Sequence, residues 1–164
     1  MKATNSIPYG RQDINDDDIE AVVTTLKADF LTQGPKVEEF EKAFANYVGS
    51  KYAVAVSNAT AGLHLAVLSL GLKKYDRIIT SPITFAATAN CILYQGGTPV
   101  FADVDSKNLL LDINKLESNI SSNTKAIVAV DYAGHPCDWK SLREIADKYD
   151  FQLVNDNCHA IGAS

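Results

Sequence analysis

Several residues of this sequence are of types, and in places, that could do chemistry. Asp156 closes the run Leu153-Val154-Asn155, which sets a carboxylate at the end of a short apolar stretch. Partly desolvated there, it can pair with a cationic ring nitrogen such as a pyridinium, or act locally as a turn or helix cap. Ser57-Asn58-Ala59-Thr60-Ala61-Gly62 follows another apolar run and leads into a helical pattern. Small residues at a helix start let backbone N–H groups approach an anion, and Thr60 adds a hydroxyl. The segment therefore reads as a phosphate cradle or as a tight turn chosen for packing. It is not a Walker loop, because Gly-Lys-Ser/Thr is missing, and no G-x-G-x-x-G occurs in the chain. Phe85, after Ser81-Pro82-Ile83-Thr84, offers an aromatic face to a planar ring or to the core.

His135, Cys137, Cys158 and His159 raise the question of zinc. Neither pair has a usual zinc spacing, and side chains as close in sequence as Cys158 and His159 seldom point at one metal, so no metal is expected. His64 lies between Leu63 and Leu65 in a helical stretch, where packing is its simplest role. Glu38-Glu39 and Asp16-Asp17-Asp18 read as solvated or capping carboxylates.

The elements that must position these residues follow from the apolar pattern. Asn15 before Asp16-Asp17-Asp18 caps a helix with Ile19, Val22, Val23 and Leu26 on one face. Gly34-Pro35 opens a second helix carrying Val37, Phe40, Phe44 and Val48 before Gly49. From Tyr52 onward, short apolar runs predict five buried strands: Tyr52–Val56, Arg77–Thr80, Pro99–Ala102, Ala126–Val130 and Gln152–Val154. Helical stretches lie between them at Ala61–Leu70, Phe85–Gln95, Ile113–Ile120 and Asp138–Tyr149. Strand–helix alternation implies an α/β fold, a mainly parallel sheet flanked by helices on both faces. In such sheets ligands bind outside the carboxyl ends of the strands, where the Ser57, Ser81, Asp131 and Asn155 segments fall.

Composition sets the outer limits. The chain has 164 residues, 46% of them hydrophobic and 21% charged, which excludes disordered, collagenous and coiled-coil classes. A net charge of -5 with no Lys/Arg cluster argues against a nucleic-acid partner. No apolar run approaches the roughly 20 residues a membrane span needs, and the N-terminus lacks a signal-peptide pattern, so a cytoplasmic location is expected. Cys91, Cys137 and Cys158 form no even set, which fits reduced thiols.

Taken together, Leu31-Thr32-Gln33-Gly34-Pro35, Ser57-Asn58-Ala59-Thr60-Ala61, Ser81-Pro82-Ile83-Thr84-Phe85-Ala86-Ala87-Thr88-Ala89-Asn90 and Asp156-Asn157-Cys158-His159-Ala160-Ile161-Gly162-Ala163 resemble the DegT/DnrJ/EryC1/StrS nucleotide-sugar aminotransferases. Thr84-Phe85-Ala86-Ala87-Thr88-Ala89-Asn90 and Val130-Asp131-Tyr132-Ala133-Gly134 look most like the branch making UDP-4-amino-4,6-dideoxy-N-acetyl-β-L-altrosamine, a pseudaminic acid precursor. The resemblance implies the N-terminal part of the large domain of a fold-type-I enzyme dependent on pyridoxal phosphate (PLP). Residues 1–50 would be an N-terminal helical segment and 51–164 a partial PLP-binding domain, incomplete at its C-terminus.

By the same resemblance, Asp156 would pair with the pyridine nitrogen, Thr60 and Ala61 hold the phosphate, Phe85 stack on the ring and His159 approach the phenolic oxygen. Tyr9, Asp29, Phe30, Leu31, Thr32 and Ala59 would line the sugar-nucleotide pocket. The implied reaction moves an amino group from L-glutamate to the C4 keto group of a UDP-linked 4-keto-6-deoxy-N-acetylhexosamine, in a homodimer. The Schiff-base lysine of such enzymes would lie beyond Ser164, since no lysine from Lys2 to Lys148 matches its position. Residues 1–164 alone are therefore expected to be inactive, with an exposed sheet edge and apolar patches prone to aggregation. Alternatives are a PLP-dependent sugar dehydratase, with histidine at the lysine position, and a non-catalytic sugar-nucleotide-binding or regulatory protein. A NAD-dependent enzyme is a further one, but the glycine fingerprint it needs is missing.

Overall fold

A computed structural model describes residues 10–163. They form two compact units that divide between Ala55 and Val56. In the first unit, helix α1 (Asp16–Leu26) begins at a reciprocal cap: the Asn15 side chain accepts from the amides of Asp17 and Asp18, and the Asp18 carboxylate accepts from the Asn15 amide. None of its residues is buried, and Ile19, Val22 and Leu26 stand exposed. Helix α2 (Pro35–Val48) starts with Pro35 in its first turn. Gly34 before it cannot carry a side chain, because a Cβ would collide with the Phe30 carbonyl oxygen. Gly49 ends the helix at φ +67°, the left-handed region that favours glycine.

The second unit is a layered α/β structure. After α3 (Ala59–Ser69) come β1 (Arg77–Thr80), α4 (Ala86–Tyr94) and β2 (Thr98–Phe101). Then follow α5 (Ile113–Leu116), β3 (Thr124–Val130), α6 (Trp139–Tyr149) and β4 (Gln152–Asp156). The four strands pair in parallel in the order β2-β1-β3-β4, with Ile79 opposite Val100 and Ile127, and Val130 opposite Asp156. The order places β1 and β3 at the centre, and their residues are almost all buried.

Alternation along the strands divides the core into two layers, as a pleated sheet requires. Ile78, Ala126 and Val128 face Leu63 and Val67 of α3 and Ala87, Cys91 and Ile92 of α4. Ile79, Ile127 and Ala129 face Leu116 of α5 and Leu142 and Ala146 of α6. Each fully buried isoleucine or leucine here contributes roughly 1.5–3 kcal/mol. The expected α/β fold with a parallel sheet flanked by helices is thus present.

Two expectations need correction. Tyr52–Val56 forms no strand among the described residues, and Tyr52 and Val54 are about three-quarters exposed, at 74% and 75%. The alternating pattern is there, but a strand exists only where a neighbour takes its hydrogen bonds, and this segment pairs with none of the four strands. The helix expected over Ile113–Ile120 is a single α turn followed by a 3-10 turn, Glu117–Asn119. Ser118 Oγ and Asn119 Nδ2 both donate to the Lys115 carbonyl, at 2.7 and 2.9 Å, and compete with helix propagation. Among the described residues, no helix is long and apolar enough to cross a membrane.

Candidate active site

Parallel pairing brings the carboxyl ends of all four strands to one edge, and β3 and β4 lead there into buried aspartates. Asp131 follows Val130 and is 1% exposed; Asp156 ends β4 and is 4% exposed. The two are adjacent, with the Asp131 amide donating to the Asp156 carbonyl at 3.1 Å. Their carboxylates have different surroundings.

Asp131 is satisfied internally. Its Oδ1 accepts from the Cys137 amide at 2.7 Å and from Trp139 Nε1 at 3.1 Å, tying the loop after β3 to the start of α6. Burial, reinforced by the Asp131 charge, pushes the Cys137 thiol up to about 12, and its Sγ donates to the Val130 carbonyl. Asp131 is thus a fold-holding carboxylate.

Asp156 is only half satisfied. Its Oδ2 accepts from the buried hydroxyl of Thr88 on α4 at 2.7 Å. Its Oδ1 accepts from the Cys158 amide at 3.4 Å, beyond the usual range of a good N–H···O bond, and the carboxylate's other neighbour is the weakly donating Cys158 thiol. Among the described residues, no lysine, arginine or histidine lies within ion-pair distance of it. A buried carboxylate without a cation is costly, and a cationic ligand group would offset that cost.

The cavity beside Asp156 is lined by Ala59, Thr60, Phe85, Tyr132 and His159, with Thr84 and Cys158 also at its wall. The fold thus gathers five residues singled out in the sequence: Ala59, Thr60, Phe85, Asp156 and His159. Each arrives by a local device. Asn58 caps α3, so the helix start, with amides that lack intrahelical acceptors, points at the cavity. Ser81 Oγ accepts from the Ile83 amide at 3.1 Å and shapes the loop that delivers Phe85 to the start of α4. Phe85 stands 73% exposed, its ring free of the core. Ala133 takes φ +53°, which sets its amide 3.4 Å from His159 Nδ1.

The remaining candidates divide differently. Ala61 sits in the first turn of α3, but its amide already donates to Asn58 Oδ1 at 2.9 Å, so the first-turn amides open to a ligand there are those of Ala59 and Thr60. Asp29, Phe30, Leu31 and Thr32 lie in the first unit, between α1 and α2, with Phe30 and Leu31 exposed. Tyr9 lies outside the described residues. Among the described residues, no group of three or more His, Cys, Asp or Glu is placed to hold a metal ion.

Thr88 and Tyr132 were not singled out from the sequence as site residues. Thr88 had a signal: it is a polar residue on the face of α4 that also buries Ala87, Cys91 and Ile92. Cys158 gives an independent test of the Asp156 charge. Burial, then the hydrogen bond to and charge of Asp156, push its thiol up to about 11. Asp156→Asn removes the last two causes, so alkylation of Cys158, followed by mass spectrometry, is expected to speed up. An unchanged rate would mean that Asp156 carries no charge beside the thiol.

Comparison with known proteins finds relatives in sequence and in fold. The spore coat polysaccharide biosynthesis protein SpsC of Bacillus subtilis is 42% identical over 161 residues, covering 98% of this chain and 41% of that protein. The Helicobacter pylori aminotransferase PseC, involved in the biosynthesis of pseudoaminic acid, superposes with a TM-score of 0.86 and 35% identity over 94% of this chain and 42% of its own. GDP-4-keto-6-deoxymannose-3-dehydratase, solved with a trapped PLP-glutamate geminal diamine, superposes with a TM-score of 0.91 and 30% identity over 97% of this chain and 43% of its own. The chain spans about two-fifths of the length of the curated relatives it matches. Residues 12–164 match the family model itself, and the chain belongs to the DegT/DnrJ/EryC1/StrS aminotransferase family.

Proposed function

We propose that the chain supplies the PLP-binding part of a nucleotide-sugar aminotransferase. The observation that carries this reading is the half-satisfied buried carboxylate of Asp156, opening on a cavity that also presents an exposed aromatic ring and a helix N-terminus. Those features fit one molecule with a basic ring nitrogen, a flat ring and a phosphate. When bound, PLP supplies the electron sink that lets an amino group pass from a donor to a ketone.

The chain's own residues then divide the work. Asp156 holds a proton on the ring nitrogen. Phe85 would stack on the ring, and His159 would approach the phenolic oxygen. Ala59 and Thr60 hold the phosphate at the start of α3, with Ala61 joining them if Asn58 turns away. Tyr9, Asp29, Phe30, Leu31, Thr32 and Ala59 contribute to binding the sugar nucleotide.

The substrate we infer is a UDP-linked 4-keto-6-deoxy-N-acetylhexosamine aminated at C4 with L-glutamate as donor, on the route to pseudaminic acid. Resemblance to PseC supports it. In this reading the enzyme is a cytoplasmic homodimer, with residues 1–50 as its N-terminal helical segment and 51–164 as part of the large domain. The cavity wall contains no lysine among the described residues, so the amine that moves the substrate proton comes from elsewhere in the enzyme. Likeness to the 3-dehydratase supports the second reading, a sugar dehydratase on the same fold with histidine at the lysine position.

The test is a titration of the chain with pyridoxamine phosphate, which has the ring and phosphate of PLP but no aldehyde to condense with surface lysines. Saturable binding that shields Cys158 from alkylation is expected, with no glutamate-dependent turnover of the UDP-4-keto sugar by residues 1–164 alone. Absence of saturable binding would overturn the PLP reading. Turnover by this chain would overturn the assignment of the missing amine.

A further inference from the structure

We propose that Thr88 is a positioning residue for Asp156, and that Thr84 and Thr88 form a directed pair of hydroxyls that fixes which carboxylate oxygen meets the ring nitrogen. The proposal rests on the PLP reading above. Thr88 is fully buried, on a helix face otherwise made of Ala87, Cys91 and Ile92. Valine would fill nearly the same volume there without a hydroxyl to satisfy, so the hydroxyl needs a reason. Its bonds supply one.

Thr88 Oγ1 donates to Asp156 Oδ2 at 2.7 Å and lies 2.7 Å from Thr84 Oγ1. A threonine hydroxyl carries one proton. With that proton on Asp156, Thr84 is the donor in the other bond, and the direction of the chain is Thr84 to Thr88 to Asp156. One end of the chain is at the cavity wall, where Thr84 lies; the other grips Oδ2 and leaves Oδ1 as the carboxylate oxygen without a hydroxyl partner. Besides Thr88, the protein donors at this carboxylate among the described residues are the distant Cys158 amide and the weakly donating Cys158 thiol, so Oδ1 stays available to a ring N–H. Because α4 and β4 are far apart in sequence, the bond also locks the helix that begins just after Phe85 to the strand that ends at Asp156.

The test measures pyridoxamine phosphate binding to the full chain carrying Thr88→Val, Thr88→Ala, Thr88→Ser or Asp156→Asn, with nitrogen NMR of ring-labelled probe to report the ring proton. Thr88→Val and Thr88→Ala are expected to weaken binding about tenfold and to lose the protonated-ring signal. Thr88→Ser, which keeps the hydroxyl, is expected to restore both to within about twofold of the unmodified chain. Thr88→Ala adds no bulk, so the comparison with Thr88→Ser holds even if Thr88→Val fails to fold. Unchanged binding and ring protonation in Thr88→Ala, or a Thr88→Ser variant as weak as Thr88→Ala, would overturn the proposal while Asp156→Asn still showed its loss. If the unmodified chain does not bind the probe, or Asp156→Asn binds it equally well, the PLP reading fails and the proposal with it.

Discussion

Asparagine in place of Asp156 is expected to weaken pyridoxamine phosphate binding by about a hundredfold without lowering the stability of the chain. The change is nearly isosteric. The Thr88 hydroxyl can still donate, now to the amide oxygen, so α4 and β4 stay joined. What is lost is the negative charge opposite the ring nitrogen, and the amide can turn a donor toward a site that needs an acceptor. The fold also loses a buried carboxylate that has no cation among the described residues, a loss that such sites tolerate or gain from. Calorimetric titration and urea unfolding of the same samples separate the effects. Equal affinity in the two proteins would remove Asp156 from the ligand site.

The neighbouring aspartate is expected to behave in the opposite way. Asp131→Ala leaves the Cys137 amide and the Trp139 indole N–H without their buried acceptor and should lower stability by about 3 kcal/mol, seen as a lower urea midpoint. That is a large part of the roughly 5–15 kcal/mol holding a typical domain together. Under conditions where the variant is still folded, its affinity for the probe should be close to that of the unmodified chain, because Asp131 does not line the cavity. A variant of full stability that no longer binds would make Asp131 the ligand-binding carboxylate and leave Asp156 the fold-holding one.

That contrast shows where the sequence was legible and where it was not. Short-range devices were readable: the Asn15 cap and the Gly34-Pro35 start and Gly49 end of α2 all involve residues a few positions apart. The central strands were readable because burial on both faces leaves continuous apolar runs. Tyr52–Val56 misled because its pattern has the alternation of a strand, while pairing depends on a neighbour that local pattern cannot supply. Asp156 could be picked out as a residue at a strand exit, but not told apart from Asp131 by position alone. The difference lies in partners: Trp139 is eight residues from Asp131, whereas Thr88 is 68 residues from Asp156. The amide of Ala61 is a smaller case, a first-turn donor already engaged by its own cap.

The most direct test of the central claim is a crystal structure of the chain with pyridoxamine phosphate bound. The ring nitrogen is expected within hydrogen-bonding distance of Asp156 Oδ1, the ring against Phe85 and the phosphate at the first turn of α3. A probe bound elsewhere, or bound in this cavity with its ring nitrogen turned away from Asp156, would contradict it.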